Sequence, residues 1–203
     1  MNNNFISQIQ NLNLDFKGKK LFNNLNFDIL ENKSTALLGS SGVGKSTLLR
    51  CIADLENENI TSGNIVLKEG TNVAWLSQEN SLYPWLSILD NVQLYHHLKG
   101  TKTKQTLQKA KELLAQVNMS QHCDKKTYEL SGGQKQRVAL ARTLMQDANL
   151  ILMDEPFAAL DAITKIQLQD LTCQLLKNKT VVLVTHDPQE AIKLANHIYI
   201  LKN

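Results

Sequence analysis

The sequence predicts an α/β fold, with a mainly parallel sheet covered by helices on both faces and a helical segment inserted into it. Three observations lead there. Short apolar runs alternate with helical patterns along the 203 residues. One run, TALLG at 35–39, passes into glycine-rich sequence and then into a helix pattern. Between about 87 and 146 the strand pattern stops and the chain reads as mostly helical.

Residues 6–16 and 25–29 alternate apolar and polar side chains, the period of half-buried strands. After the strand at 35–39, residues 45–53 read as a helix, and 63–67 and 73–77 as two more strands. In the helical stretch, LQKAKELLAQV at 107–117 is the clearest case. LILM at 150–153 returns to β character. A helix at 162–177, the strand TVVLV at 180–184, a short helix at 187–195 and the strand HIYIL at 197–201 complete the order. No repeat, low-complexity tract or linker divides the chain. One domain over 1–203 is expected, its helical part spanning about 79–147.

A net charge of +3 leaves no strong nucleic-acid footprint. Lysines gather at 17–20 and 99–104, as on a solvated surface. No apolar run approaches the roughly 18 residues that span a bilayer. The start, MNNNFISQIQ, lacks the basic and apolar regions of a secretory signal. Any link to a membrane is therefore expected to run through a partner. The three cysteines, Cys51, Cys123 and Cys173, have no metal or disulfide spacing and are expected to be buried thiols.

Residues 39–46, GSSGVGKS, fit G-x-x-x-x-G-K-[ST] between a strand and a helix. Gly39, Gly42 and Gly44 remove bulk and permit unusual dihedrals. Backbone N–H groups of Ser40, Ser41, Val43 and their neighbours can then surround phosphate oxygens at a helix N-terminus. Lys45 supplies a point charge, and the hydroxyl of Ser46, beside Thr47, can ligate Mg²⁺.

LILMDEP at 150–156 puts two carboxylates at the end of an apolar strand, where ligands bind in open α/β sheets. Asp154 suits a metal. Glu155 should face the other way, because neighbouring strand residues alternate, and so is free to activate water. Pro156 stops the strand. Taken alone, the segment reads as an ordinary turn; beside a phosphate loop it reads as a metal and water site. ELSGGQ at 129–134 holds a capping box, Ser131 with Gln134, opening a glycine-bearing helix. From physics alone it is either a capped helix or a second anion site.

LSGGQ, lying between the phosphate loop and the Asp-Glu-Pro segment, gives the chain its resemblance to ABC (ATP-binding cassette) transporter ATPases over essentially its whole length. The resemblance implies a phosphate-loop core with an N-terminal antiparallel β subdomain, an ATP hydrolase with ATP and Mg²⁺ as cofactors, and Glu155 as catalytic base. Phe16, 29 residues before Lys45, matches an aromatic that stacks on adenine, although it also reads as a core strand residue. Gln78 matches the glutamine that touches metal or water. AALD at 158–161 matches a segment whose Asp161 acts across a dimer. His186, in VTHD, matches a histidine at the γ-phosphate. Ser131, Gly132, Gly133 and Gln134 would serve the ATP of a second ATPase subunit, in a homodimer. Asn32 stands where the family often has glycine, and KKTYE before LSGGQ lacks a common proline; no catalytic position is lost.

QENSLYPWLSILDNVQL at 78–94 and DEPFAALDAITK at 154–165 resemble importer subunits for nitrate, sulfonate, taurine and thiamine precursors. Leu82, Tyr83, Pro84, Trp85 and Leu86 are expected to help receive a membrane permease, with an extracytoplasmic substrate-binding protein as indirect partner. The expected place is the cytoplasmic face of the cell membrane. The chain ends at Asn203 just after its last strand, and no regulatory domain is expected. An export or lipoprotein-releasing ATPase would share every catalytic residue. A soluble, non-transport ABC protein is the reading from another class.

Overall fold

The computed structural model describes residues 4–202. Met1–Asn3, on which the reading of the N-terminus partly rests, and Asn203 lie outside them. Two sheets form the framework. In the first, β1 (Phe5–Phe16) pairs antiparallel with β2 (Lys19–Leu30) and with β4 (Ile60–Leu67), in the order β2-β1-β4. Lys17 and Gly18 link β1 to β2, both with positive φ (50° and 78°), as a two-residue hairpin turn demands. Pairing with β1 carries β2 back to Lys19, well before the alternation at 25–29 that marks it in the sequence.

The second sheet is wholly parallel, ordered β5 (Val73–Leu76), β6 (Leu150–Asp154), β7 (Thr180–Thr185), β3 (Ser34–Leu38), β8 (His197–Ile200). Every residue of β6 and β7 is buried, which is why both read as unbroken apolar runs. Asn32 enters β3 with φ 57°, the left-handed conformation its side chain tolerates, and its N–H donates to the Thr180 hydroxyl at 2.9 Å. Helices α1 (Lys45–Ile52), α6 (Ala162–Leu175) and α7 (Pro188–Leu194) fill the crossovers.

Between β5 and β6 lie α2 (Ile88–Val92), α3 (Leu94–Leu98), α4 (Lys104–Gln116) and α5 (Gly132–Met145). They build a hydrophobic cluster of their own around Ile88, Val92, Leu114 and Val138. Helix α5 is buried on two sides: Val138, Ala141 and Met145 face that cluster, Ala139 and Leu140 the sheet. Its weak one-faced pattern in the sequence follows from this. Residues 118–131 depart from the helical expectation, because Asn118 turns left-handed (φ 58°) after α4 and only short 3-10 turns follow. The cysteine expectation holds for Cys51 alone: its thiol is buried and pushed up to about 11 by desolvation and then by Glu56 and Glu58, whereas Cys123 and Cys173 are half-buried. No helix among the described residues is long and apolar enough to cross a membrane.

Candidate active site

The C-terminal ends of β3, β6 and β7 converge on the loop 39–44. Gly42 (φ 79°) and Gly44 (φ 102°) adopt conformations that L side chains avoid. Gly39 does not, contrary to the expectation for all three glycines. It is needed for space, since a Cβ there would sit 2.9 Å from the Leu201 carbonyl and 3.0 Å from Val43 Cγ1. Val43 turns its side chain into the core, leaving only backbone for the loop's inner surface. Lys45 Nζ donates to the carbonyls of Gly39 and Ser40, both at 2.9 Å, so the buried ammonium sits at the mouth of the curl.

Phe16, Leu21, Ser41, Gly42, Gly44, Lys45, Ser46, Thr47, Gln78 and Glu155 line one cleft of about 400 Å³. Phe16 is half-exposed on its wall, so the core alternative does not hold; Lys17 Nζ lies 5.4 Å from its ring centre. Gln78 is exposed just past β5. The Ser46 hydroxyl donates to Asp154 Oδ1 at 2.8 Å. Burial raises the Asp154 carboxyl above its usual range, and neighbouring Glu155 adds to this; Ser46, Arg50 and Lys45 pull the other way.

Among the described residues no cluster of three or more His, Cys, Asp or Glu is placed to hold a metal. The oxygens of Ser46 and Asp154 still fit Mg²⁺, which takes few protein ligands and completes its shell with substrate phosphates and water. A carboxylate buried without full charge compensation is the group that such an ion would relieve.

Glu155 reaches the site by a different route from strand alternation. β6 ends at Asp154, and Glu155 takes a left-handed conformation (φ 43°). Non-glycine residues held there cost about 1–2 kcal/mol, and such strain gathers at functional sites. Glu155 Oε1 then lies 3.6 Å from Lys45 Nζ, and Oε2 3.0 Å from His186 Nδ1. Glu155, His186 and Lys45 form one chain of contacts.

Ser131, Gly132, Gly133, Gln134 and Asp161 line no part of this cleft. They sit at the N-termini of α5 and α6. Ser131 Oγ accepts from Gln134 N (3.3 Å), and Gln134 Oε1 from Ser131 N (2.9 Å), so the capping box forms. Asp161 caps α6 by accepting from Thr164 N at 3.0 Å. Ser131, Gly132 and Asp161 are exposed, while Gly133 has Thr164 close against it.

Several contributors escape sequence reading. Leu21 walls the cleft from β2. Arg142 of α5 donates to the carbonyls of Asn80 (2.9 Å) and Ser81 (2.7 Å), fixing the segment after Gln78. Asn91, fully buried, accepts from Tyr83 N (2.8 Å) and donates to the carbonyls of Tyr83 (3.1 Å), Leu86 (3.4 Å) and Ser87 (2.9 Å). Only the buried polar residue in LDNV hinted at it.

A family model described as ABC transporter matches residues 22–158. The chain belongs to the ABC transporter ATP-binding family. An uncharacterized ABC transporter ATP-binding protein of Haemophilus influenzae is 56% identical, covering 97% of this chain and 82% of the relative. The aliphatic sulfonates import ATP-binding protein SsuB of Delftia acidovorans is 41% identical over 93% of this chain and 76% of its own. A solved dimeric bacterial ABC transporter cassette superposes with a TM-score of 0.82 at 31% identity, covering 97% of this chain and 94% of that one. This ABC subunit is an ATP-hydrolysing transport ATPase.

Proposed function

We propose that this ABC subunit energises a membrane importer for a small solute of the sulfonate, nitrate or thiamine-precursor class. The observation that carries the import reading is the exposed Tyr83–Pro84–Trp85 segment, directly after Gln78, in a chain whose relatives include proteins named for sulfonate import. Tyr83 and Trp85 pack edge to face at 5.1 Å, and Trp85 is 68% exposed. The Asn91 amide underneath and Lys126, whose Nζ donates to the Trp85 carbonyl at 2.9 Å, hold the segment rigid. A rigid aromatic knob suits a permease helix, because little order is lost on docking.

In this reading Phe16 stacks on adenine, loop amides from Gly39 to Thr47 hold the phosphates, and Lys45 leaves its two carbonyls for a terminal phosphate. Ser46, Asp154 and Gln78 hold Mg²⁺, which supplies charge neutralisation on the phosphates. Glu155 takes a proton from the attacking water, and His186 orients it and the γ-phosphate. Ser131, Gly132, Gly133 and Asp161 act on the nucleotide of a second copy; the exposure of Ser131, Gly132 and Asp161 away from their own cleft supports that division, as does the dimeric cassette's likeness. Permease subunits, an extracytoplasmic binding protein and a place on the cytoplasmic face complete the picture.

The test is uptake of a labelled alkanesulfonate by vesicles carrying the subunit with a sulfonate permease and binding protein. Trp85→Ala should abolish uptake while basal ATPase stays within about two-fold, as for a surface change remote from the cleft. Unchanged uptake by the variant would overturn the docking role given to Trp85, and no uptake by the natural chain would overturn the importer assignment.

A further inference from the structure

One ionic cluster, half-buried around the buried Glu190, has no part in the chemistry described so far. Lys165 of α6 places Nζ 2.8 Å from Asp187 Oδ2 and 2.7 Å from Glu190 Oε1. Glu190, with a side chain 3% exposed, accepts on its second oxygen from the Thr185 hydroxyl at 2.5 Å. That hydroxyl oxygen accepts in turn from the Asp187 N–H at 3.0 Å. Asp187 also caps α7 by accepting from Gln189 N at 2.9 Å. The residues on either side of His186 are thus tied to a single lysine–carboxylate centre.

His186 is less restrained. Its side chain is 52% exposed and its hydrogen bond is to Glu155. An imidazole in that setting is aimed by its backbone, and its backbone is held at Thr185 and Asp187. A half-buried ion pair of this kind adds little net stability, because solvent screening and desolvation offset most of the attraction. Holding one arrangement is a better account of this cluster. Burial works against the Lys165 charge, yet hydrogen bonds and attraction to both carboxylates raise its pKa, while Asp187 is lowered chiefly by Lys165 itself.

We propose that Lys165 is a positioning residue for His186: by clamping Asp187 and Glu190 it fixes the Thr185–Asp187 backbone, and so the imidazole against Glu155. This rests on the roles given to His186 and Glu155 above. Three features are joined that sequence keeps apart, a lysine one turn into α6, the buried Glu190 of α7 and the residue pair around the histidine.

The experiment measures kcat and KM for MgATP on the full chain. Lys165→Met should lower kcat about ten-fold, since misplacement of a reacting group by a fraction of an ångström carries losses of this order. KM should move less than about two-fold, because nucleotide binding does not use the clamp. Lys165→Arg should restore most of the rate, as a guanidinium also bridges two carboxylates. In a His186→Ala background, Lys165→Met should cost less than about two-fold further, because both changes act through one group. The same ten-fold loss in that background, or unchanged kcat in Lys165→Met, would overturn the clamp alone. His186→Ala turning over at the natural rate would overturn the role of His186 and the clamp with it. Should Lys165→Met not fold, Lys165→Met with Glu190→Gln keeps the Thr185 contact without a stranded charge, and the same rates decide.

Discussion

Asn91 offers a sharp test of how the aromatic segment is held. Its amide satisfies one N–H and three carbonyls from a fully buried position on α2. Asn91→Asp keeps the shape and the acceptor for Tyr83 N but exchanges two N–H donors for at most one O–H facing the carbonyls of Tyr83, Leu86 and Ser87. Stranding buried polar groups costs about 1–3 kcal/mol. The new carboxyl must also stay protonated beside those carbonyls, so its folded pKa is raised above the unfolded value of about 3.9. An acid raised in this way binds more protons folded than unfolded, and its penalty grows as pH rises from the unfolded pKa toward the folded one. At about 1.36 kcal/mol per pH unit, the penalty at pH 7 exceeds that at pH 5 by up to about 2.7 kcal/mol. For a chain of this size each kcal/mol lowers Tm by about 2–4 °C, so a pH 7 loss of roughly 3 kcal/mol means about 6–12 °C. Urea melts and calorimetry at pH 5, 6 and 7 measure it. Natural stability at pH 7, or a cost independent of pH, would refute the hydrogen-bond account of the segment.

Other outcomes follow from the site. Glu155→Gln should lower hydrolysis by about 10²–10⁴, the range for a lost general base, and accumulate an ATP-bound dimer on size exclusion; turnover at the natural rate removes Glu155 from that role. Gly133→Ala should press its methyl onto Thr164 Cγ2 and cost about 1–3 kcal/mol, and Thr164→Ser should relieve most of it, as read by denaturant midpoints. Asp187, held low by Lys165, contributes stability that is present above its unfolded pKa of about 3.9 and fades as pH falls through its lower folded value. Asp187→Asn should therefore flatten the acid limb of the stability curve below about pH 4 and leave the slope near pH 7 unchanged.

Much of the fold was legible. The strands at 35–39, 150–153 and 180–184 are found where their apolar runs stand, because strands buried on both faces need continuous hydrophobicity. Glycines at 42 and 44 announced their positive φ values, since few other residues tolerate them. The extent of β2 was less legible, because its N-terminal half is set by pairing with β1 and not by its own pattern. Gly39 was read as serving both space and dihedral freedom, and space alone applies, a matter of which neighbour, Leu201, arrives from the far end of the chain.

By itself, the sequence determined the kinds of chemistry available: a phosphate-binding loop after a strand, two carboxylates after another, a histidine after a third, a capped glycine helix between them. Each is a local pattern, and local backbone preference is written in neighbouring residues. Only the tertiary structure decided which of these groups meet. It brought His186 and Lys45 to opposite oxygens of Glu155, set Phe16 on the cleft wall instead of in the core, and left Ser131 and Asp161 exposed away from that cleft. Those outcomes depend on sheet order and on where helices pack, which arise from contacts between residues up to about the whole chain apart, and no window of sequence contains them.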